Sequence, residues 1–297
     1  MMVTLIQKEE YIMIRTLDMS MLNIAHDART MAPLAAAQGF EAISITPALL
    51  ADETTALEAT AFIRDHGLKW GLLPLTADYY FWDVTDEQFD QSLIELTRRA
   101  KIAEKIGIRH AYNHVWPTSF REFDENFDWH VNRVRRVSDI LHDHGVRYGL
   151  EFLGPHELRR WNKHEFVHSL AGVLAIADAA GGKTGIAFDT YHWYCSTAGC
   201  PDDVLYMTQH TDRLVAVHLN DAPAGIAVPD QKDMQRCLPM TTGVIDSAAI
   251  LAGFMKHDNN ALYMVEPFEP TRTLFGAMTA EEAAKTAGAA MERVLRR

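Results

Sequence analysis

Residues 148–153 read YGLEFL, 185–190 read GIAFDT, 214–219 read LVAVHL and 262–267 read LYMVEP. Each run is almost wholly apolar until its last positions, where a carboxylate or an imidazole appears. A strand covered on both faces by crossover helices reads this way, whereas a half-exposed strand alternates. The polar residue falls near the C-terminal end of each strand, which is where an αβ barrel places its chemistry.

Working outward, residues 13–17, 42–46, 69–75 and 110–115 read as four earlier strands, and the quoted runs extend to 147–153, 185–190, 214–219 and 261–267. Helical patterns fill the gaps. Residues 86–107 place Phe89, Leu93, Leu96, Ala100 and Ala103 at a spacing near 3.6 and close on Gly107. Residues 125–145 do the same with Val131, Val134, Val137, Ile140 and Leu141 and close on Gly145. A glycine just past the last turn is a common helix stop. Residues 165–181, 201–210, 246–257 and 280–295 complete the helical set. Strand–helix alternation predicts parallel strands, and eight repeats predict closure into a (β/α)8 TIM barrel. No G-x-G-x-x-G follows the first strand, which argues against a dinucleotide-binding sheet.

A chain of 297 residues accommodates one such barrel, typically about 250 residues plus loops, so residues 1–297 read as a single domain. Hydrophobic residues make up 48%, ample for one core, and the formal net charge of −12 disfavours nucleic acid and anionic membrane surfaces. Cys195, Cys200 and Cys237 form no disulfide framework and read as free thiols of a reducing cytoplasm. The N-terminal MMVTLIQKEEYIMIRT is interrupted by Lys8, Glu9 and Glu10 and reads as no secretory signal. No run is long enough for a membrane helix. The expected location is cytoplasmic. A homo-oligomer is compatible with the sequence, which does not fix the assembly.

Glu151, Asp189, His218 and Glu266 occupy equivalent places on four successive strands. In-register parallel strands bring them together at the barrel mouth. Converging buried carboxylates repel and raise each other's pKa, and a divalent cation resolves the conflict. Three carboxylates and one imidazole suit Mn²⁺ or Mg²⁺ by hardness, with Mn²⁺ preferred here and Co²⁺ and Zn²⁺ also compatible. Residues 221–243 are far longer than a usual βα loop and predict a wall or lid on the same face. Trp116 and Trp193 lie just past strands four and six, where stacking on a sugar and plain rim packing are equal readings. Asn113 and His114 read as structural more readily than as hydroxyl contacts. Asp221 reads either as a partner orienting a ligand or as a loop cap.

The motifs GLEFLGP, AFDTYHWY, VHLNDAP and VEPF, spread over nearly the whole chain, resemble the xylose isomerase-like sugar phosphate isomerase/epimerase superfamily. That group includes ketose 3-epimerases, hydroxypyruvate isomerases and inosose isomerases and dehydratases. The resemblance implies that Glu151 and Glu266 both bind metal and move protons. It also implies that Glu157 and His192 touch substrate. The epimerases carry an arginine soon after the metal histidine, where this chain has Pro223; Arg236, within the long loop, offers a replacement cation.

The implied function is a metal-dependent isomerase or epimerase of a small sugar, ketose or polyol, working by proton abstraction beside a carbonyl and an enediolate. A lyase using the same metal and glutamate base, an inosose-type dehydratase or an oxidised-sugar deglycosidase, is the alternative. A repair nuclease of the endonuclease IV type needs more histidine ligands and a basic groove, and a non-catalytic binding protein normally shows ligand loss. Neither pattern is present.

Overall fold

The computed structural model describes residues 13–75, 84–257 and 260–296; the N-terminal stretch read as lacking a secretory signal lies largely outside them. Eight parallel strands form the sheet: β1 (Ile14–Leu17), β2 (Ala42–Ile43), β3 (Lys69–Trp70), β4 (His110–Val115), β5 (Arg147–Phe152), β6 (Thr184–Asp189), β7 (Leu214–Leu219) and β8 (Leu262–Val265). Their order is β3-β2-β1-β8-β7-β6-β5-β4. A parallel bridge from Leu72 to His110 joins the two ends and closes the barrel.

The helices are α1 (Ala28–Ala37), α2 (Glu53–Asp65), α3 (Asp86–Ile106), α4 (Phe123–Asp143), α5 (Leu170–Ala179), α6 (Thr190–Thr197), α7 (Pro201–Gln209), α8 (Ser247–Phe254), α9 (Thr271–Gly276) and α10 (Ala280–Leu295). Thr85 and Gln88 form a capping box at the start of α3, and Gly107 ends it in the left-handed conformation at φ 85°, which a residue with a Cβ adopts at a cost.

Two expectations are corrected. The helix expected from residue 165 begins at Leu170 behind a Ser169 cap. His164–Glu165 instead pairs antiparallel with Thr118–Ser119. Helices α1, α2, α6 and α9 were not expected from periodicity.

Strand alternation divides the core. Ile14, Ala42, Leu72, Ala187, Ala216, Leu262 and Met264 fill the barrel interior as one cluster. Their neighbours Ile186, Phe188, Val217, Tyr263 and Val265 belong to the second cluster, between barrel and helices. Side chains alternate along a strand, so the interior row continues from Ala187 to Asp189, from Ala216 to His218 and from Met264 to Glu266. Polar residues thus cap an apolar interior at the C-terminal mouth. Among the described residues no helix is long and apolar enough to cross a membrane, and all three cysteines are free.

Candidate metal centre at the barrel mouth

The register brings the four strand ends level. Asp189 pairs with His218, and Met264, two residues before Glu266, also pairs with His218. His114 pairs with Glu151. Each of Glu151, Asp189, His218 and Glu266 offers a ligand atom within 4.8 Å of the others, and all four are buried. Opposed donors of an ion with bonds of about 2.2 Å lie about 4.4 Å apart, so the donor set fits one divalent cation.

The imidazole is the hub. His218 Nδ1 lies 2.8 Å from Glu151 Oε1, 3.5 Å from Glu266 Oε2 and 3.9 Å from Asp189 Oδ2. Burial alone would lower its pKa, but Glu151, Glu266 and Asp189 outweigh it and push it up to about 10. The two glutamates diverge. Burial presses Glu151 upward, yet His218 and His114 hold it well below the ordinary carboxylate range. Burial raises Glu266 well above that range despite His218 and Arg236.

Asp189 serves two structures at once. Its Oδ1 accepts the backbone N–H groups of Tyr191 and His192 at 2.6 and 2.9 Å, capping α6. Its Oδ2 faces His218 and accepts from Asn220 Nδ2 at 3.0 Å. The cap fixes His192 one turn away. A Cβ on Gly154 would run into the His192 carbonyl and lie 2.7 Å from Ser196 N, so glycine permits α6 to sit against the end of β5.

Arg236 reaches the centre from the long loop and is 2% exposed. Its Nη1 donates to Asp189 Oδ2 at 2.8 Å and to Glu266 Oε2 at 3.0 Å. Its Nη2 donates to Asp233 Oδ1 at 2.7 Å and meets His192 Nε2 at 3.0 Å. Arginine has no acceptor, so that His192 nitrogen accepts. The guanidinium lies between the rings of Tyr191 and Phe268, at 4.9 and 4.5 Å. A cation from the long loop thus reaches the centre, with its donors taken by Asp189, Glu266 and Asp233.

The other expected residues fall at graded distances. Glu157 is a clasp of the long loop: its Oε1 accepts the Asp233 N–H at 2.8 Å, and Lys232 Nζ lies 3.2 Å from its Oε2. Trp116 packs against Trp161, with centroids 5.3 Å apart and the rings tilted by 33°. Trp193 packs into the rim, its Nε1 donating to the Cys200 carbonyl at 3.0 Å. Asn113 Oδ1 accepts from Tyr148 at 2.9 Å, a structural bond.

His114 was undervalued. Its Nε2 lies 2.9 Å from Glu151 Oε2, and it is about one-third exposed. Asp233 was not anticipated; its three-residue spacing from Arg236 was the available signal. Asp221 is the loop cap. Its carboxylate accepts from the backbone N–H groups of Ala222, Thr242, Gly243 and Ile245 at 2.8–2.9 Å. Its backbone exchanges a pair of bonds with Cys237.

A closed parallel barrel with a buried carboxylate–imidazole group at its C-terminal mouth belongs to the barrels able to hold a catalytic ion there. Within them, this chain belongs to the xylose isomerase-like TIM barrel family, whose model matches residues 32–295. No curated protein sequence matches the chain. Among solved structures it is similar to a xylose isomerase domain protein from Alicyclobacillus acidocaldarius (25% identity, TM-score 0.78, covering 96% of this chain and 98% of that one). It is also similar to the IOLI protein with a binding zinc atom (18%, 0.74, 95% and 97%). A third similar structure is D-psicose 3-epimerase with D-tagatose from Clostridium cellulolyticum H10 (13%, 0.70, 94% and 97%).

Proposed function

We propose that this chain is a divalent-metal-dependent isomerase or epimerase of a small, uncharged sugar or polyol. The observation that carries the reading is the convergence of Glu151, Asp189, His218 and Glu266 within 4.8 Å. These four hold the ion, with Mn²⁺ the preferred occupant; the IOLI structure carries zinc. A bound ion supplies Lewis acidity to substrate oxygens and acidifies the adjacent C–H.

The chain's own groups do the rest. Glu151 is the base that takes the proton, and Glu266 is the acid that returns one. Return to the same carbon from the opposite face inverts it; return to the neighbouring carbon exchanges aldose and ketose. Residues 221–243 wall the site, with Glu157 clasping that loop and His192 held against Arg236.

A cavity of about 190 Å³ adjoins the centre through His114 and includes Asp18, Ser44 and Tyr112 in its lining. None of its described lining residues is a lysine or an arginine. It suits a neutral polyol better than a phosphorylated one.

His114, beside Glu151 and open to the mouth, also supports the lyase reading, since it can protonate a departing hydroxyl or aglycone. The test is to incubate Mn²⁺-loaded protein in D₂O with a panel of ketoses and inososes. Deuterium in the C–H next to a carbonyl, without mass loss beyond exchange, supports isomerisation or epimerisation. Loss of water or aglycone moves the reading to a lyase, and no exchange on any substrate removes both.

A further inference from the structure

Arg236 makes contacts that a substrate-binding arginine does not need. Both acceptors of its Nη1, Asp189 Oδ2 and Glu266 Oε2, are oxygens that face His218 Nδ1. They are the atoms a divalent ion would share. The guanidinium is fully enclosed, stacked between two rings and tied outward to Asp233. Nothing of its charge is left to face a ligand.

We infer that Arg236 is a resident counter-cation that holds the ligand carboxylates together and sets how tightly the site grips its divalent ion. A buried carboxylate stripped of its partner is strongly unfavourable, so Arg236 keeps Asp189 and Glu266 converged. The same positive charge repels an incoming cation and draws on the lone pairs it requires. Arg236 thereby preorganises the site and loosens it. Asp233 tunes the effect: its carboxylate takes up part of the guanidinium charge that would otherwise bear on Asp189 and Glu266. The inference rests on the metal site of the proposed function, but it concerns affinity and stability rather than turnover.

The experiment is calorimetric titration of chelator-treated protein with Mn²⁺, with melting measured before and after loading, in wild type, Arg236→Met, Arg236→Lys and Asp233→Asn. Arg236→Met is expected to melt lower before loading, to gain more on loading, and to bind Mn²⁺ about tenfold more tightly or better. Arg236→Lys, which keeps a charge but loses the fork, falls between. Asp233→Asn, on the partly exposed side, shifts affinity the other way and binds several-fold more weakly. If Arg236→Met does not fold, the opposed shifts of the other two variants decide. Unchanged or weaker Mn²⁺ binding in Arg236→Met, or equal affinities in Arg236→Lys, Asp233→Asn and wild type, overturns the inference and leaves the functional reading standing. Failure of the wild type to bind any divalent ion overturns both.

Discussion

His218 Nδ1 and Glu151 Oε1 are 2.8 Å apart with both side chains essentially sealed from solvent. A proton shared there takes the part of a cation among three carboxylates. Folding raises the His218 pKa from its usual 6.5 to about 10. Its contribution to stability is therefore complete below pH 6.5 and is lost as pH rises toward 10. A metal ligand must give that proton up. Titration at pH 7 in two buffers of different ionisation enthalpy should show release of at least about one proton per ion, from His218 and from Glu266 where it is protonated, with affinity rising with pH. Proton-neutral binding would show that His218 is not a ligand.

The unequal glutamates yield a second expectation. Glu151→Gln and Glu266→Gln should each lower kcat by about 10²–10⁴-fold, the usual worth of a general base or acid, while retaining the ion on the remaining donors. Steady-state rates with metal analysis of the same samples check both halves. A variant at wild-type rate loses its assigned role.

Asp221 tests the architecture of the long loop. Replacing it with alanine leaves four backbone N–H groups without their acceptor. Hydrogen bonds to a buried charge are individually worth about 1.5–3 kcal/mol. Without full additivity, Asp221→Ala should cost at least about 3 kcal/mol. Asp221→Asn, which keeps an acceptor, should recover part of that. An unchanged melting temperature for the alanine variant would rule the clasp out.

Two buried histidines outside the metal group predict acid sensitivity. Burial lowers His110 and His130 to about 4, against the nearby cations Arg147 and Arg121 respectively. The unfolded chain takes up these protons first, so stability falls as pH drops from 6.5 toward 4, by on the order of 3 kcal/mol per site. Urea midpoints measured from pH 7 to 4 should steepen in the wild type and flatten in His110→Gln. Parallel curves would contradict the assignment.

The barrel was legible because β5 to β8 are apolar until the residue that matters, and the four metal-site candidates are those residues. The first half was harder. β2 and β3 lie where strands were expected but are two residues each, shorter than the 42–46 and 69–75 read from the sequence. Helix α1 is alanine-rich with Pro33 inside, and α2 mixes threonine and alanine on both faces. Their clearest signals were Asp27 and Asp52, which accept from Thr30 and Thr55 as N-caps. Helix α6 begins on a metal-site candidate, Asp189, so the residues that read as strand end are also helix start. Contacts made across the fold, such as His114 with Glu151 and Arg236 with Glu266, leave no local pattern, because they depend on which strands become neighbours.

Both stems of the stretch between β7 and α8 are knotted to one side chain, Asp221. What lies between them is of two kinds: residues 224–230 are mostly exposed, whereas Gln231, Asp233 and Arg236 are anchored to Tyr191, to one another and to the carboxylates of the site. Replacing residues 224–230 by a shorter or longer insert should change which molecules enter without unsettling the barrel, making this the natural segment for redirecting specificity.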